Sequence, residues 1–416
     1  VRRLKQAALA AAFDRFYADD WCRDTDRARS MRAFVARQAW WIDDYALFVA
    51  IHDRESGQPW SEWPEALRTR VPEALECARR ELAREILYRE YLQWIADCQW
   101  RDARAAARRH GVAIFGDLPF MVDADSADVW LHSRDFHLDV SAGVPPDAFS
   151  ATGQDWGMPV YNWDAVEASN FSWLRERARR GAELYDGYRV DHLVGFYRTY
   201  GRPRNGSPAF FSPSDEEAQT RLGEQVLDIL RSAGPEIIAE DLGTVPDFVR
   251  SSLERLAVPG FRVFRWERLW HEEGQPFRDP VDYPPLSVAT SGTHDTEPMA
   301  VWWDQLPPED RQKVGEMPTI ERFLGTPELA QRPFDDGLRD ALLEALFASG
   351  SDLLLLPVQD VFGWRERINE PATVTPENWT FRLPWPADRL DHVPEARERR
   401  ERLRAWSKQY ARMTGA

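Results

Sequence analysis

Three acids stand at the ends of short apolar runs. Asp191 follows Gly187-Tyr188-Arg189-Val190 and is followed by His192, Glu240 follows Ile237-Ile238-Ala239 and opens Glu240-Asp241-Leu242-Gly243, and Asp295 ends Ser291-Gly292-Thr293-His294-Asp295. A β-branched or aromatic run ahead of each acid would hold it rigidly. Two carboxyls about 5–5.5 Å apart can cleave a glycosidic bond with retention. One, ionised, attacks the anomeric carbon, and the other, protonated, serves the leaving oxygen. Burial and nearby negative charge keep that acid's pKa raised. A third acid can hold sugar hydroxyls. Arg189, two residues before Asp191, shares its strand face and can keep that carboxylate ionised. Taken singly, each acid is as readily an N-cap or a surface ion pair.

The elements that must position these acids alternate. From Gly111 onward, short apolar runs follow a glycine and end in acidic residues. They are Val112 to Phe115 before Gly116-Asp117, Tyr188 to Val190, Ile237 to Ala239, Phe261 to Phe264, Leu286 to Ala289, and Leu353 to Leu356 before Gln359-Asp360. Helix-period segments lie between them, among them Glu216 to Arg231, Val249 to Leu256 and Leu338 to Phe347. Gly111, Gly234 and Gly350 sit where a helix C′ residue belongs. Strands alternating with helices mean parallel βα units. Polar residues at successive strand ends favour a (β/α)8 TIM barrel over a doubly wound sheet, whose ligand contacts gather at one switch point. Residues 1–110 read as helical, with Leu4, Ala8, Ala11, Ala12 and Phe16 at helical spacing, then Leu82, Ile86, Leu87 and Tyr91. Pro59, Pro64 and Pro72 break this part into short helices. The segment from Pro394 to Arg412 reads as a solvated closing helix, laced by i,i+4 pairs such as Glu398 with Arg402.

Other chemistries find less support in the residues. There is no GxGxxG, P-loop, HxH, HExxH or GxSxG segment, so phosphate-loop, metal-hydrolase and serine-hydrolase readings are weak. Only His192 and His294 of the eight histidines adjoin the acids. The net charge of -16, from 53 basic and 69 acidic residues, argues against a nucleic-acid partner, which needs a concentrated basic face. No apolar run is long enough to span a membrane. Cys22, Cys77 and Cys98 show no metal-like or redox spacing and read as reduced thiols of a cytoplasmic protein. Nineteen Trp among 416 residues point to packing plus exposed aromatic surface, for which sugar faces are one use.

The order Arg-Val-Asp-His, Ala-Glu-Asp-Leu-Gly, Thr-His-Asp resembles the three signature regions of the α-amylase superfamily. Companion segments narrow the resemblance: Gly116-Asp117-Leu118-Pro119, Ser126-Ala127-Asp128-Val129-Trp130, Gly143-Val144-Pro145-Pro146-Asp147, and Phe149-Ser150-Ala151-Thr152-Gly153-Gln154 followed by Trp156-Gly157. Together they resemble the 4-α-glucanotransferases, or amylomaltases, of glycoside hydrolase family 77. The resemblance implies retaining transfer between α-1,4-glucans, with maltooligosaccharides, starch or glycogen as substrates, glucose as an acceptor, and no organic cofactor; the shortage of ligand histidines beside the acids argues against a metal. It implies Asp191 as nucleophile, Glu240 as general acid/base and Asp295 as transition-state-stabilising carboxylate. Arg189, His294, Asp117, Trp156 and Asn369 would contact the sugar. The chain departs from the family pattern at Met158-Pro159, Thr296-Glu297-Pro298 and Glu370-Pro371-Ala372, all beside subsite positions.

The expected fold is thus α/β, a (β/α)8 barrel with helical insertions. Residues 1–110 form a helical subdomain, 111–390 the catalytic barrel and 391–416 a closing helix. The chain starts at Val1 in mid-helix, and the resemblance places the Gly116–Pro119 strand third, so the first two strands are expected to precede Val1. Two rival readings share the motifs: a hydrolytic enzyme of α-amylase type, and a catalytically impaired glucan-binding fragment.

Overall fold

The structure is a computed structural model and describes residues 2–146, 152–371 and 373–412. Asp147, Phe149, Ser150, Ala151 and Ala372 of the motifs above lie outside the described residues. Among the described residues the chain forms ten strands: β1 (Phe115–Leu118), β2 (Phe136–Val144), β3 (Gln154–Tyr161), β4 (Gly187–Val190), β5 (Thr199–Pro203), β6 (Phe210–Ser212), β7 (Glu236–Ala239), β8 (Gly260–Val263), β9 (Ser287–Thr290) and β10 (Leu353–Leu354). Two compact units divide at Ile237, inside β7. One sheet runs in the order β1-β4-β7-β8-β9-β10, and the other is β3-β2-β5-β6.

In the first unit β1 pairs with β4 in parallel, Asp117 opposite Arg189. That register places β1 three residues later than the apolar run Val112–Phe115 predicts. Val112 is 55% exposed, because the ladder begins only where the Asp186 amide reaches the Ile114 carbonyl. The antiparallel sheet was not legible as strands: Gly157 and Pro159 interrupt β3, and Gly201 and Pro203 interrupt β5, which dilutes the alternation that marks a strand.

The helical start is present. It contains helices Arg2–Phe16, Asp26–Arg37, Ile42–Arg54, Pro72–Glu81 and Ala83–Arg109, and Phe13, Phe16, Met31, Phe34, Leu87, Tyr91 and Trp94 of the first, second and last of them pack together. Pro72 occupies the first turn of its helix, where its missing N–H costs nothing. The periodicity overstates the first helix: Leu4 is 77% exposed and Ala8, Ala11 and Ala12 are also exposed. Only Phe13 and Phe16, near its end, are buried.

On the helix Ala83–Arg109 burial, reinforced by the Asp43 charge, pushes Glu90 up to about 7. A carboxyl whose folded pKa exceeds its unfolded value binds protons better when folded. Its contribution to stability is therefore full below about pH 4.5 and is lost as pH rises through 7. Glu90→Gln is expected to stabilise the chain at pH 8 by about 1 kcal/mol, the group being partly solvent-screened, and to change nothing near pH 4.5. Denaturant midpoints at the two pH values check this; equal shifts at both would contradict it.

In the second unit β7 pairs with β8, β8 with β9 and β9 with β10, all parallel. Ile238, Phe261, Val263 and Val288 pack along these strands, and a larger core gathers Phe264, Met299, Trp303, Leu342, Phe347 and Trp406. β10 is only two residues long, half the predicted run. Gly111 and Gly234 take positive φ at the C′ positions expected of them. Gly350 does not serve that purpose: it follows C′, and a Cβ there would lie 2.3 Å from the Tyr283 carbonyl oxygen, so close approach requires the glycine. The helix Pro394–Gln409 closes the chain. Its ion pairs run away from the helix, Arg399 to Asp340 at 2.6 Å, Arg402 to Asp340 at 3.6 Å and Arg400 to Asp391, rather than along its length as the Glu398–Arg402 spacing predicts.

Candidate active site

In the first unit, side-chain alternation along β4 buries Tyr188 and Val190 and turns Arg189 and Asp191 to the other face. The Asp191 amide bonds to the Leu118 carbonyl at 3.0 Å, extending the ladder by one residue. Arg189 lies opposite Asp117 in register and donates to both of its carboxylate oxygens at 2.8 and 2.9 Å. Its other terminal nitrogen is 2.8 Å from Asp191 Oδ1. One guanidinium, 15% exposed, thus fixes two carboxylates that are each nearly half exposed. A delocalised cation suits this task, since its planar fork presents donors in fixed directions.

Beside them His192 has φ +41° and sits between Phe120, at 5.6 Å, and Trp156, at 4.8 Å and perpendicular. Burial pushes its pKa down to about 4, against the opposing pull of Asp191 and with a smaller push from Arg189. The imidazole is therefore neutral at pH 7. Trp156, on β3, is half-buried and its indole N–H donates to Gln154 Oε1 at 3.0 Å.

The second unit holds the other residues. Glu240 follows the buried Ile237-Ile238-Ala239 and accepts from the Leu242 amide at 3.0 Å. Its neighbour Asp241 turns the opposite way, into β8, where it accepts from the Phe261 amide at 2.7 Å and faces Arg262 and Arg250 at 3.4 and 3.5 Å. A Cβ on Gly260 would lie 2.4 Å from Asp241 Oδ2. Of the two adjacent acids, then, Asp241 is a structural clamp between β7 and β8.

Asp295 stands in the turn after β9. Its amide bonds to Thr293 Oγ1 at 3.2 Å, and its carboxylate accepts from Asn369 Nδ2 at 2.6 Å and lies 3.2 Å from His294 Nε2. The turn is anchored by buried Asp360, which accepts from Ser291 Oγ at 2.5 Å and from the Met299 amide at 2.7 Å. Burial raises the Asp360 pKa, although both hydrogen bonds oppose this.

Three supporting residues escape the strand-end pattern. Arg367 donates to the Asn369 carbonyl at 2.6 Å and to the Asp295 carbonyl. It also faces Glu297 at 4.0 Å. Arg265, its side chain 4% exposed, donates to the Glu297 carboxylate at 2.7 Å and carbonyl at 2.8 Å. Glu297 is thus held by two arginines, Arg265 and Arg367. Arg367-Ile368-Asn369 repeats the spacing of Arg189-Val190-Asp191, a signal that could have marked Arg367. Arg265 offers no such signal.

Two solved structures share this architecture. An amylomaltase from Streptococcus agalactiae, in complex with acarbose, superposes with a TM-score of 0.81 at 27% identity, over 98% of this chain and 79% of that one. An amylomaltase from Corynebacterium glutamicum matches at 0.76 and 22% identity, which bears on the fold alone. The fold is TIM-barrel-like, and the class is that of enzymes acting on α-1,4-glucans by glycosyl transfer. A family model described as 4-alpha-glucanotransferase matches residues 1–388, and the chain belongs to that family. Relatives named 4-alpha-glucanotransferase from Thermus thermophilus and Synechocystis are each 33% identical, over 90% and 88% of this chain and 76% and 73% of their own lengths. Among the described residues no helix is long and apolar enough to cross a membrane.

Proposed function

We propose that the chain transfers segments of α-1,4-glucan from a donor maltooligosaccharide or starch chain to the 4-hydroxyl of an acceptor glucan or glucose, with retention. The observation that carries this reading is the Arg189 guanidinium bridging Asp117 and Asp191 at a strand end, in a chain of this family. Asp191 acts as nucleophile. Its carboxylate oxygen bonds to the anomeric carbon as the glycosidic bond breaks, and Glu240 gives its proton to the departing 4-oxygen. In the second step the acceptor 4-hydroxyl attacks the same carbon, its proton passes to Glu240, and Asp191 is released. One α-1,4 bond replaces another, and two inversions leave the configuration unchanged.

Asp295, held by Asn369 and His294, binds the hydroxyls of the reacting sugar, Asp117 binds a neighbouring hydroxyl, and Trp156 offers an aromatic face. Exclusion of water by such faces favours an acceptor sugar over hydrolysis. Three unbridged cysteines support action in the reducing cytoplasm. Maltotriose separates transfer from the hydrolytic alternative. Transfer is expected to give glucose plus oligomers longer than the substrate, resolved by chromatography over time. Products no longer than maltose would overturn the reading in favour of hydrolysis.

A further inference from the structure

Trp379 departs from ordinary packing in the second unit. Most tryptophans here are buried or half-buried, Trp130 and Trp303 fully so, whereas Trp379 is 65% exposed. Its φ of +62° lies in the left-handed region, which a bulky side chain ordinarily avoids. The strain is held in place: the Trp379 amide donates to the Ile368 carbonyl at 2.8 Å. The Asn378 side chain accepts from the Glu370 amide at 3.1 Å and donates to Thr373 at 3.1 and 3.2 Å. Burial of the indole does not offset this strain, since most of the ring faces solvent. Strain retained without a packing return is the mark of a functional position.

The ring is also aimed. Its centroid is 5.2 Å from that of His294, with 39° between the planes, and His294 is 3.2 Å from the Asp295 carboxylate. An exposed apolar face therefore stands one residue from the acid assigned to the reacting sugar. The complement of such a face is the C–H side of a pyranose ring, which is apolar while its edge carries the hydroxyls.

We propose that Trp379 is a sugar platform, stacking on a glucosyl unit of the bound α-1,4-glucan next to Asp295 and setting affinity and chain-length preference. The proposal rests on the glucan-transfer reading above. It makes Trp379 a specificity determinant and leaves bond exchange to the acids.

The test is calorimetric titration of maltoheptaose into the full chain carrying Glu240→Gln, so that turnover does not intrude. Adding Trp379→Ala is expected to weaken binding about tenfold, and Trp379→Phe to restore most of it. Trp379→Gly, relieved of the left-handed penalty, is expected to bind as weakly as the Ala variant yet melt at or above the temperature of its parent. Unchanged affinity in the Ala variant overturns the platform. So does a Gly variant that loses both affinity and melting temperature, because the role is then structural. Wild-type chain that disproportionates maltotriose while Trp379→Ala binds normally sinks this proposal alone, whereas a Glu240→Gln parent that binds no glucan sinks both.

Discussion

Asp191→Asn is expected to lower glucan turnover by about four to six orders of magnitude while leaving fold and glucan binding nearly intact. The amide has the size of the carboxylate and keeps an oxygen that can accept from Arg189, 2.8 Å away. It lacks the charge and nucleophilicity needed to form a glycosyl ester. The substitution should not strand Arg189, whose guanidinium retains both bonds to Asp117. The stability change should therefore stay within about 1 kcal/mol, as for a half-exposed pair. Single-turnover assays with maltotriose, run beside thermal melts and a binding isotherm, check all three parts. A variant that keeps even a tenth of wild-type turnover shows that Asp191 is not the nucleophile.

Glu297→Ala should act through stability first. Arg265 is nearly inaccessible, and its bonds besides the carboxylate go to the carbonyls of Glu297 and Ser291. Burial already lowers the pKa of the guanidinium. Removing the carboxylate leaves the charge buried with neutral hydrogen-bond acceptors and only the weaker field of Asp360, a change that costs about 3 kcal/mol. Glu297 also faces Arg367, which ties the Asp295 and Asn369 backbones together. Loosening that tie should misplace the Asp295 carboxylate and lower kcat by about ten- to a hundredfold. Denaturant unfolding and kcat in the same preparation check this. A double variant, Arg265→Met with Glu297→Ala, should regain much of the stability but not the rate, because the contact with Arg367 stays lost. A loss below about 0.5 kcal/mol in the single variant would mean that the pair behaves like a surface salt bridge.

How much of this was legible varied with how local each feature is. The parallel strands β4, β7, β8 and β9 fall within a residue or two of their apolar runs, since a βα rhythm is written in neighbouring residues. β1 was misplaced because its start is decided by its ladder with β4, not by the hydrophobicity of Val112 to Ile114. The antiparallel sheet is not legible in the sequence: β2 and β3 carry Gly143-Val144 and Gln154-Asp155-Trp156-Gly157, segments that enter the reading only as motifs of the family resemblance. Strand-end position and the family resemblance single out Glu240 over Asp241, but neither assigns Asp241 a task. The register of β8, with Gly260 admitting the Asp241 carboxylate, gives it a structural one.

By itself the sequence determined the βα class, the family resemblance and the acids at the strand ends. These depend on side-chain alternation and on residue types at fixed short spacing. Tertiary structure alone decided the partners: Asn369 on Asp295, 74 residues apart, and Arg265 on Glu297, 32 apart. It also decided that Trp379, an ordinary-looking aromatic in the chain, is exposed, strained and turned toward His294. Such pairings arise when loops from different strands converge, and no periodicity records where a loop will end.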